Sequence, residues 1–565
     1  MDTAKARLWN GHIVAQIPFE KKDRVINARN LMGYKFVKPR DKAPYWEFPY
    51  SPIVASVLHR ELGEQIDYMD AEIPDLHRSY QDALQAKVAT NLPPVIPGLK
   101  SINPKDGQPL KPWQHQVQGF HFCRDLPGCM LAYSMGTGKS LVAVALVVNS
   151  KHDRVLIVCP KSVMPVWPKE LQYAQSSSKF LVYTATGRET VKVKAKRLKT
   201  LADSAERHGQ PFVAIINYDS FWREDMSKVL LSYDWDILIA DEIHRAKNPG
   251  SSARASKFLT KIAERSSKRI GLTGTPLPHS PMDIFAQYRA LDSSIFGTSF
   301  HRFKIRYAIM GGFNNKEIVA YQNQDELTEK IHSIAIFAKK DEVLDLPSFM
   351  HDYRTFQLST KAQKLYNELD RQLFAEIESG KITVANAMVK VLRLQQLTSG
   401  YLALDNQEQV TEVDNSKKQA LKDLLEDIPQ EEPIVVFCRF RPDLDNIKAV
   451  CAELGRTSGE LSGRMSNLKE WQDGELNTLA VQIRSGGVGI DLTRTAYCVY
   501  YSVGHSLGDY LQSLDRSHRH GQTRAVTYYH LLAEGTIDEK VYKALQKRKN
   551  IIDAIMALEE KYEKT

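Results

Sequence analysis

The sequence has little cysteine. Its six cysteines (Cys123, Cys129, Cys159, Cys438, Cys451 and Cys498) include no C-x-x-C pair. That spacing argues against a zinc site, and several of the thiols sit in apolar runs (LIVCP, VVFCR, YCVYY), where reduced and buried cysteine is expected. No uninterrupted apolar run approaches the roughly 20 residues that cross a bilayer, so a helical membrane protein is excluded. The opening MDTAKARLWNGHIV lacks the apolar core of a secretory signal. There is no short-period repeat of the kind that builds a solenoid. These absences leave a soluble chain in a reducing interior, with no membrane association. The expected setting is the cytoplasm of a bacterial or phage-infected cell, or the nucleus in a eukaryote.

What is present is ordinary globular texture, 43% hydrophobic and 25% charged. At 565 residues the chain exceeds one core, and about three or four domains are expected. The net charge of +9 suits a polyanionic partner.

Residues 1–90 differ from the rest. Between Lys21 and Lys42 stand eight basic residues against two acidic ones, with the aromatics Tyr34, Phe36, Tyr45, Trp46, Phe48 and Tyr50 close by. GYKFVKPRDKAPYWEFPY reads as two strands joined by a polar turn, and PIVASVLHREL as a helix. Basic residues beside exposed aromatics can grip phosphates and stack on bases. A small sheet using the same aromatics as its core is the alternative. Six prolines between Pro93 and Pro112 exclude a long helix and mark residues 91–112 as a linker.

From about residue 110 the texture becomes α/β. RVLIVCP, FVAIIN, DILIAD and RIGLTG recur between helical patterns, and then PIVVFC, TLAVQI, YCVYYS and VTYYHLL. Continuous apolar strands belong to parallel sheets covered on both faces. Two lobes are expected, 113–345 and 346–565, with helical insertions near their join. VKVKAKRLK (191–199) reads as a solvated helix face.

PGCMLAY-SMGTGKS-LVAVALVV is strand, loop and helix, the context of a phosphate-binding loop. The first glycine of the usual G-x-x-x-x-G-K-[ST] pattern is replaced by Tyr133. Backbone amides from Gly136 through Thr137 and Gly138 to Ser140 would face the β-phosphate, Lys139 would reach the β- and γ-phosphates, and Ser140 would hold magnesium. DWDILIADEIH ends a strand in Asp241 and Glu242. The first can bind the metal through water, and the second can act as general base on the attacking water. GLTGTP places Thr273 and Thr275 in a tight turn that could meet the two acids or a nucleic-acid strand. QSLDRSHRHGQ sets Arg516 and Arg519 three apart, on one face if the segment is helical, where they could stabilise charge on a transferring phosphoryl group. IRSGGVGIDLT offers Gly486 and Gly487 for close backbone approach to a phosphate chain.

In order and together, LAYSMGTGKS, LIVCPKSVMPVWPKEL, IINYDS, DEIHRAKN, GLTGTPL, LQQLTSG, IVVFCRF, IRSGGVGIDLT and QSLDRSHRHGQ resemble a superfamily-two helicase of the Swi/Snf-type DNA translocase family. The resemblance runs from about 110 to 545. It implies two RecA-like lobes with ATP and magnesium between them, stepping along double-stranded or branched DNA. Lys139, Ser140, Asp241 and Glu242 would come from one lobe, Arg516, Arg519 and Gln512 from the other. Gln116 in WQHQVQGF would read adenine, with Gln114 as the alternative, and Asp491 would face the nucleotide. Lys161, Ser162, Lys247, Asn248, Thr273 and the Gly486–Gly487 turn would lie along DNA. The chain departs from the family at Tyr133 and Ser134 (usually acidic), at Pro278–Ser280, at Phe337 and Ala338, and at Ile483. Its compact form is similar to bacterial or phage members and to the annealing-helicase branch, where a small basic-aromatic module precedes the motor.

The expectation is therefore a monomeric ATP- and magnesium-dependent translocase on duplex DNA that remodels branched DNA or displaces bound proteins. Two alternatives are a strand-separating DNA or RNA helicase and a non-catalytic DNA-binding scaffold. The fold expected is α/β, two RecA-like parallel-sheet lobes behind a small α+β N-terminal domain.

Overall fold

The computed structural model describes residues 3–26, 34–40, 43–149, 154–250, 253–312, 317–378, 384–403, 410–484 and 490–556. The chain forms two compact units, one of residues 1–343 with 552–565, the other of 344–551. Among the described residues, no helix is long and apolar enough to cross a membrane.

The first unit opens with β1 (Ala4–Trp9), β2 (His12–Gln16), β3 (Lys35–Val37), β4 (Tyr45–Pro49) and β5 (Ile66–Tyr68), a sheet of order β3-β4-β2-β1-β5. β3 and β4 are the two strands read from the sequence, and Pro52–Leu62 is the helix. The β1–β2 hairpin escaped that reading. Asn10 and Gly11 both have positive φ (48° and 73°), as a two-residue hairpin turn of this hand requires, and an Asn-Gly pair signals it. The aromatics beside the basic run divide between core and surface: Phe48 is fully buried, whereas Phe36 is half-exposed.

This sheet is fastened to the α/β core by a buried polar triad. Ser51 Oγ donates to Asp292 Oδ2 and Ser294 Oγ to Asp292 Oδ1, each at 2.6 Å. Both serines are fully enclosed. Between them in sequence, the proline-rich stretch lies against the core. Leu99 bridges Ala174, and Lys100 N donates to Tyr173 O at 2.8 Å.

The core sheet runs β14-β6-β11-β10-β7-β9-β8. Its strands are β6 (Gly128–Tyr133), β7 (Arg154–Cys159), β8 (Leu181–Thr184), β9 (Phe212–Asn217), β10 (Trp235–Asp241), β11 (Ser266–Leu272) and β14 (Ala335–Ala338); a separate hairpin, β12 (Ala308–Gly311) and β13 (Glu317–Tyr321), precedes β14. Every neighbouring pair in the core sheet is parallel. β6 and β9 are buried at all six positions, because helices cover both faces.

The second unit repeats the plan. Its parallel sheet has order β15-β22-β21-β18-β20-β19, from β15 (Phe349–Phe356), β18 (Ile434–Cys438), β19 (Ser458–Leu461), β20 (Thr478–Gln482), β21 (Tyr497–Tyr500) and β22 (Val526–Ala533). The helices Thr360–Glu378 and Val384–Thr398 and a small hairpin, β16 (Tyr401–Ala403) and β17 (Val410–Glu412), lie in the chain between β15 and β18. Both sheets match the RecA-like expectation in being wholly parallel, and the carboxyl ends of their strands carry the motifs.

Candidate functional site

The loop Ser134–Gly138 joins β6 to the helix Lys139–Val148. Gly136 and Gly138 have φ of 83° and 82°, which only glycine adopts without strain. A Cβ on Gly138 would stand 2.1 Å from Gln116 Nε2, so space as well as φ demands glycine there. Thr137 is fully buried, and its hydroxyl donates to Ser134 O at 2.7 Å. Lys139 Nζ donates to Tyr133 O at 2.7 Å and Ser134 O at 3.2 Å, which pulls its ammonium over the loop.

The helix Gln114–Arg124 holds this loop from behind. Gln116 Nε2 donates to Thr137 O at 3.1 Å, a ring nitrogen of His115 lies 2.8 Å from the same oxygen, and Trp113 N donates to Gln116 Oε1. Both ends of the buried Gln116 amide are thus engaged within the protein. Gln114, the alternative, points to Ala89 O at 3.3 Å. Tyr133, where a glycine or an acid was anticipated, is fully buried, and its hydroxyl donates to His115 O at 2.5 Å. The signal for His115 was its spacing, one residue before the glutamine.

Asp241 closes β10, and Glu242 follows it in the left-handed region at φ 51°, a conformation uncommon for a residue with a side chain. The turn places both carboxylates at the carboxyl end of the interior strand β10. Burial raises both above the ordinary carboxylate range, and the charge of Lys139 opposes that rise in each. Asp241 Oδ2 accepts from Trp167 Nε1 at 3.1 Å. Trp167 lies within LIVCPKSVMPVWPKEL, in which only Lys161 and Ser162 were expected to have a role. Glu242 Oε2 is buried without a hydrogen bond. His244 Nδ1 stands 3.3 Å from it, but burial lowers that imidazole to about 3, so the ring is neutral and no ion pair forms.

Thr273 corrects an expectation. It is fully buried, its Oγ1 lies 3.0 Å from His244 Nδ1 and it accepts from Thr275 N at 3.0 Å. No surface of its side chain is left for a nucleic-acid strand. It links the turn after β11 to the acidic turn after β10 instead.

Lys161 and Ser162 are exposed in the turn after β7, and Asn248 is exposed after the acidic pair, with Lys247 half-buried. Asn248 Oδ1 accepts from Gly250 N at 2.8 Å, which fixes the turn.

In the second unit Arg516 lies in the last turn of the helix Leu507–Ser517, 4% exposed. Burial lowers its guanidinium to about 10, still charged at neutral pH. Arg519 is not on that helix. His518 leaves helical geometry (ψ 83°) with its ring 2.7 Å from Pro347 O, and Gln522 Nε2 closes the helix end on Ser517 O. The helical face expected to unite the two arginines therefore stops between them; Arg519 Nε is buried without a hydrogen bond. Gln512 is half-buried on the same helix. Asp491 is exposed, its Oδ1 accepting from Thr493 N at 2.9 Å. Gly486 and Gly487 lie outside the described residues.

Among the described residues, no group of three or more His, Cys, Asp and Glu gathers as a metal site. Magnesium fits the loop nonetheless. The hydroxyl of Ser140 and the carboxylate of Asp241 are the hard oxygen donors it prefers, and it keeps its other positions for water and substrate phosphates.

A family model described as the SNF2-related domain matches residues 57–401, and one described as the helicase conserved C-terminal domain matches 416–521. The CHD3-type chromatin-remodeling factor PICKLE of Arabidopsis thaliana is 24% identical over 494 residues, which is 78% of this chain and 34% of that protein. Protein p41 of Acyrthosiphon pisum secondary endosymbiont phage 1 is 24% identical over 474 residues, 79% of this chain and 97% of its own length. The chain thus spans about a third of the plant relative and nearly all of the phage one. The solved Sulfolobus solfataricus SWI2/SNF2 ATPase core in complex with dsDNA aligns at a TM-score of 0.37 and 23% identity, covering 81% of this chain and 95% of that one.

Proposed function

This chain belongs to the SNF2-related family of helicase-type ATPases, and from that premise we propose that it is an ATP- and magnesium-dependent translocase on double-stranded DNA. Its finer work, on this reading, is to remodel branched DNA or displace bound proteins.

What carries the chemistry is that two buried carboxylates, Asp241 and Glu242, follow β10 while Lys139 is held over the phosphate loop. Burial pushes both carboxyls up, and Lys139 acts against that push in both, so the loop and the acidic pair form one electrostatic site. Lys139 and the amides of Gly136–Ser140 bind the phosphates. Ser140 and Asp241 would hold magnesium, which when bound neutralises charge on the phosphates. Glu242 takes a proton from the attacking water, and its unbonded Oε2 is the atom free to do so. Gln116 and its helix brace the loop at the adenine end. Arg516 and Arg519 offset charge on the transferring phosphoryl group, and Gln512 and Asp491 face the nucleotide. Lys161, Ser162, Lys247 and Asn248 lie along the DNA backbone.

The N-terminal sheet supports a role in substrate recognition. The register Arg7↔Val14, Val14↔Glu47 and Glu47↔Lys35 places Lys5, Arg7, Trp9 and Lys35 on one face, all exposed. Arg7 lies over the Trp9 ring at 5.0 Å. Cations beside an aromatic surface suit phosphates and an unstacked base at a junction.

The test is the ATPase rate with single-stranded, duplex, forked and four-way DNA, and with RNA as control. Strong stimulation by duplex and forked DNA, little by RNA, is expected. Turnover indifferent to every nucleic acid overturns the reading.

A further inference from the structure

Beyond the carboxyl end of β9, the helix Tyr218–Phe221 leads to Trp222, which no part of the proposed chemistry uses. Trp222 is half-buried and keeps company with arginines. Arg254 lies over its ring at 5.2 Å, and Arg223 at 5.8 Å. Phe221, one residue earlier, packs edge-on against Phe258 of the helix Arg254–Ala263 at 5.0 Å, which fixes the distance between the two helices. The indole and Arg254 face a cleft of about 680 Å³ whose lining also includes Arg245, Asn248 and Ser256. Arg245 and Arg254 are exposed, and among the described residues no acidic side chain lines the cleft.

We propose that this cleft is a further DNA-backbone site, in which Arg254 and Arg245 take phosphates of the duplex and Trp222 is the positioning residue that sets the plane of Arg254. The inference rests on the translocase reading. An arginine held over an aromatic face by a cation–π contact keeps N–H groups for a bidentate phosphate contact, which a lysine cannot reproduce. The cleft adjoins Asn248, so one strand passing Lys247 and Asn248 continues into it.

The experiment measures affinity of the full chain for a blunt DNA duplex over a range of salt. Arg254→Gln should weaken binding about threefold to tenfold and lower the slope of log affinity against log salt by about 1, one phosphate contact. Arg254→Lys should recover the slope but not all of the affinity. Trp222→Ala should weaken binding similarly, and Trp222→Ala with Arg254→Gln should lose little beyond either alone. Trp222→Phe keeps an aromatic face and should bind nearly as well as the natural protein, which separates positioning from misfolding. Unchanged affinity and slope in Arg254→Gln overturns the cleft site. So does weaker binding at an unchanged slope. A natural chain that binds no duplex overturns the translocase reading as well, whereas DNA-stimulated turnover with an unaffected Arg254→Gln overturns the cleft alone.

Discussion

Tyr133 donates its hydroxyl proton to the carbonyl oxygen of His115 at 2.5 Å, tying the last residue of β6 to the helix that braces the phosphate loop. The same residue offers its own carbonyl to Lys139. Gly119 makes room for this contact, since a Cβ there would meet the phenol oxygen at 2.1 Å. The departure from an acidic residue is thus a change of fastening. Tyr133→Phe should lower stability by about 1 kcal/mol, the loss of one hydrogen bond, and weaken ATP binding about threefold as the loop loosens. Thermal unfolding and nucleotide titration check both. ATP affinity unchanged in a variant of lowered stability would assign Tyr133 to folding alone.

Lys139→Ala should abolish DNA-stimulated hydrolysis, because the site loses its phosphate ligand and its two carboxyls lose the cation that opposes their burial. Steady-state turnover with duplex DNA reads this directly. Undiminished turnover contradicts the mechanism.

Arg519→Ala should bind ATP within about twofold of the natural protein, yet hydrolyse it on the order of a thousandfold more slowly, as for an interaction made mainly in the transition state. Parallel loss of binding and turnover would assign Arg519 to holding the nucleotide instead.

Much of this was legible in the chain itself. Gly136, Gly138 and the acids after DILIA announce themselves because backbone conformation and strand ends leave a local signature. What required space to see was mutual. Nothing near Trp167 in sequence says that its indole reaches Asp241, and nothing near Thr273 says that His244 encloses it. The spacing of Arg516 and Arg519 misled because three apart implies a shared face only while the helix lasts, and the His518 contact with Pro347 ends it. The Asn10–Gly11 turn is legible in the sequence, because an Asn-Gly pair tolerates the positive φ at both positions that a two-residue hairpin needs.

Glu460 gives a pH dependence of known sign. Its side chain is fully enclosed, and burial alone would raise its pKa. Hydrogen bonds from Arg464, Ser462 and Lys448 reverse that and hold it down at about 2. A folded pKa below the unfolded value of 4.5 means stability present above pH 4.5 and lost as pH falls towards 2. The contribution is about 2 kcal/mol after allowing for the solvent that reaches Lys448 and Arg464. Glu460→Gln should therefore be less stable than the natural protein at pH 7, with the gap closing below pH 4. Chemical denaturation at both pH values measures it, and a gap independent of pH rejects the assignment.

The N-terminal sheet calls for point substitutions, because removal of residues 1–90 would strip Ser51 from the buried Asp292 and open the core it covers. Arg7→Ala and Trp9→Ala leave that seam intact, as both side chains lie on the exposed face. On the recognition reading, Trp9→Ala should weaken binding to forked DNA about tenfold, the loss of one stacked base, with little change on blunt duplex. Arg7→Ala should weaken binding to forked DNA and reduce its salt slope by about 1. Fluorescence anisotropy with forked and blunt DNA decides the matter. Equal binding of both DNAs by all three proteins would return the sheet to a structural role, with its exposed cations merely solvated.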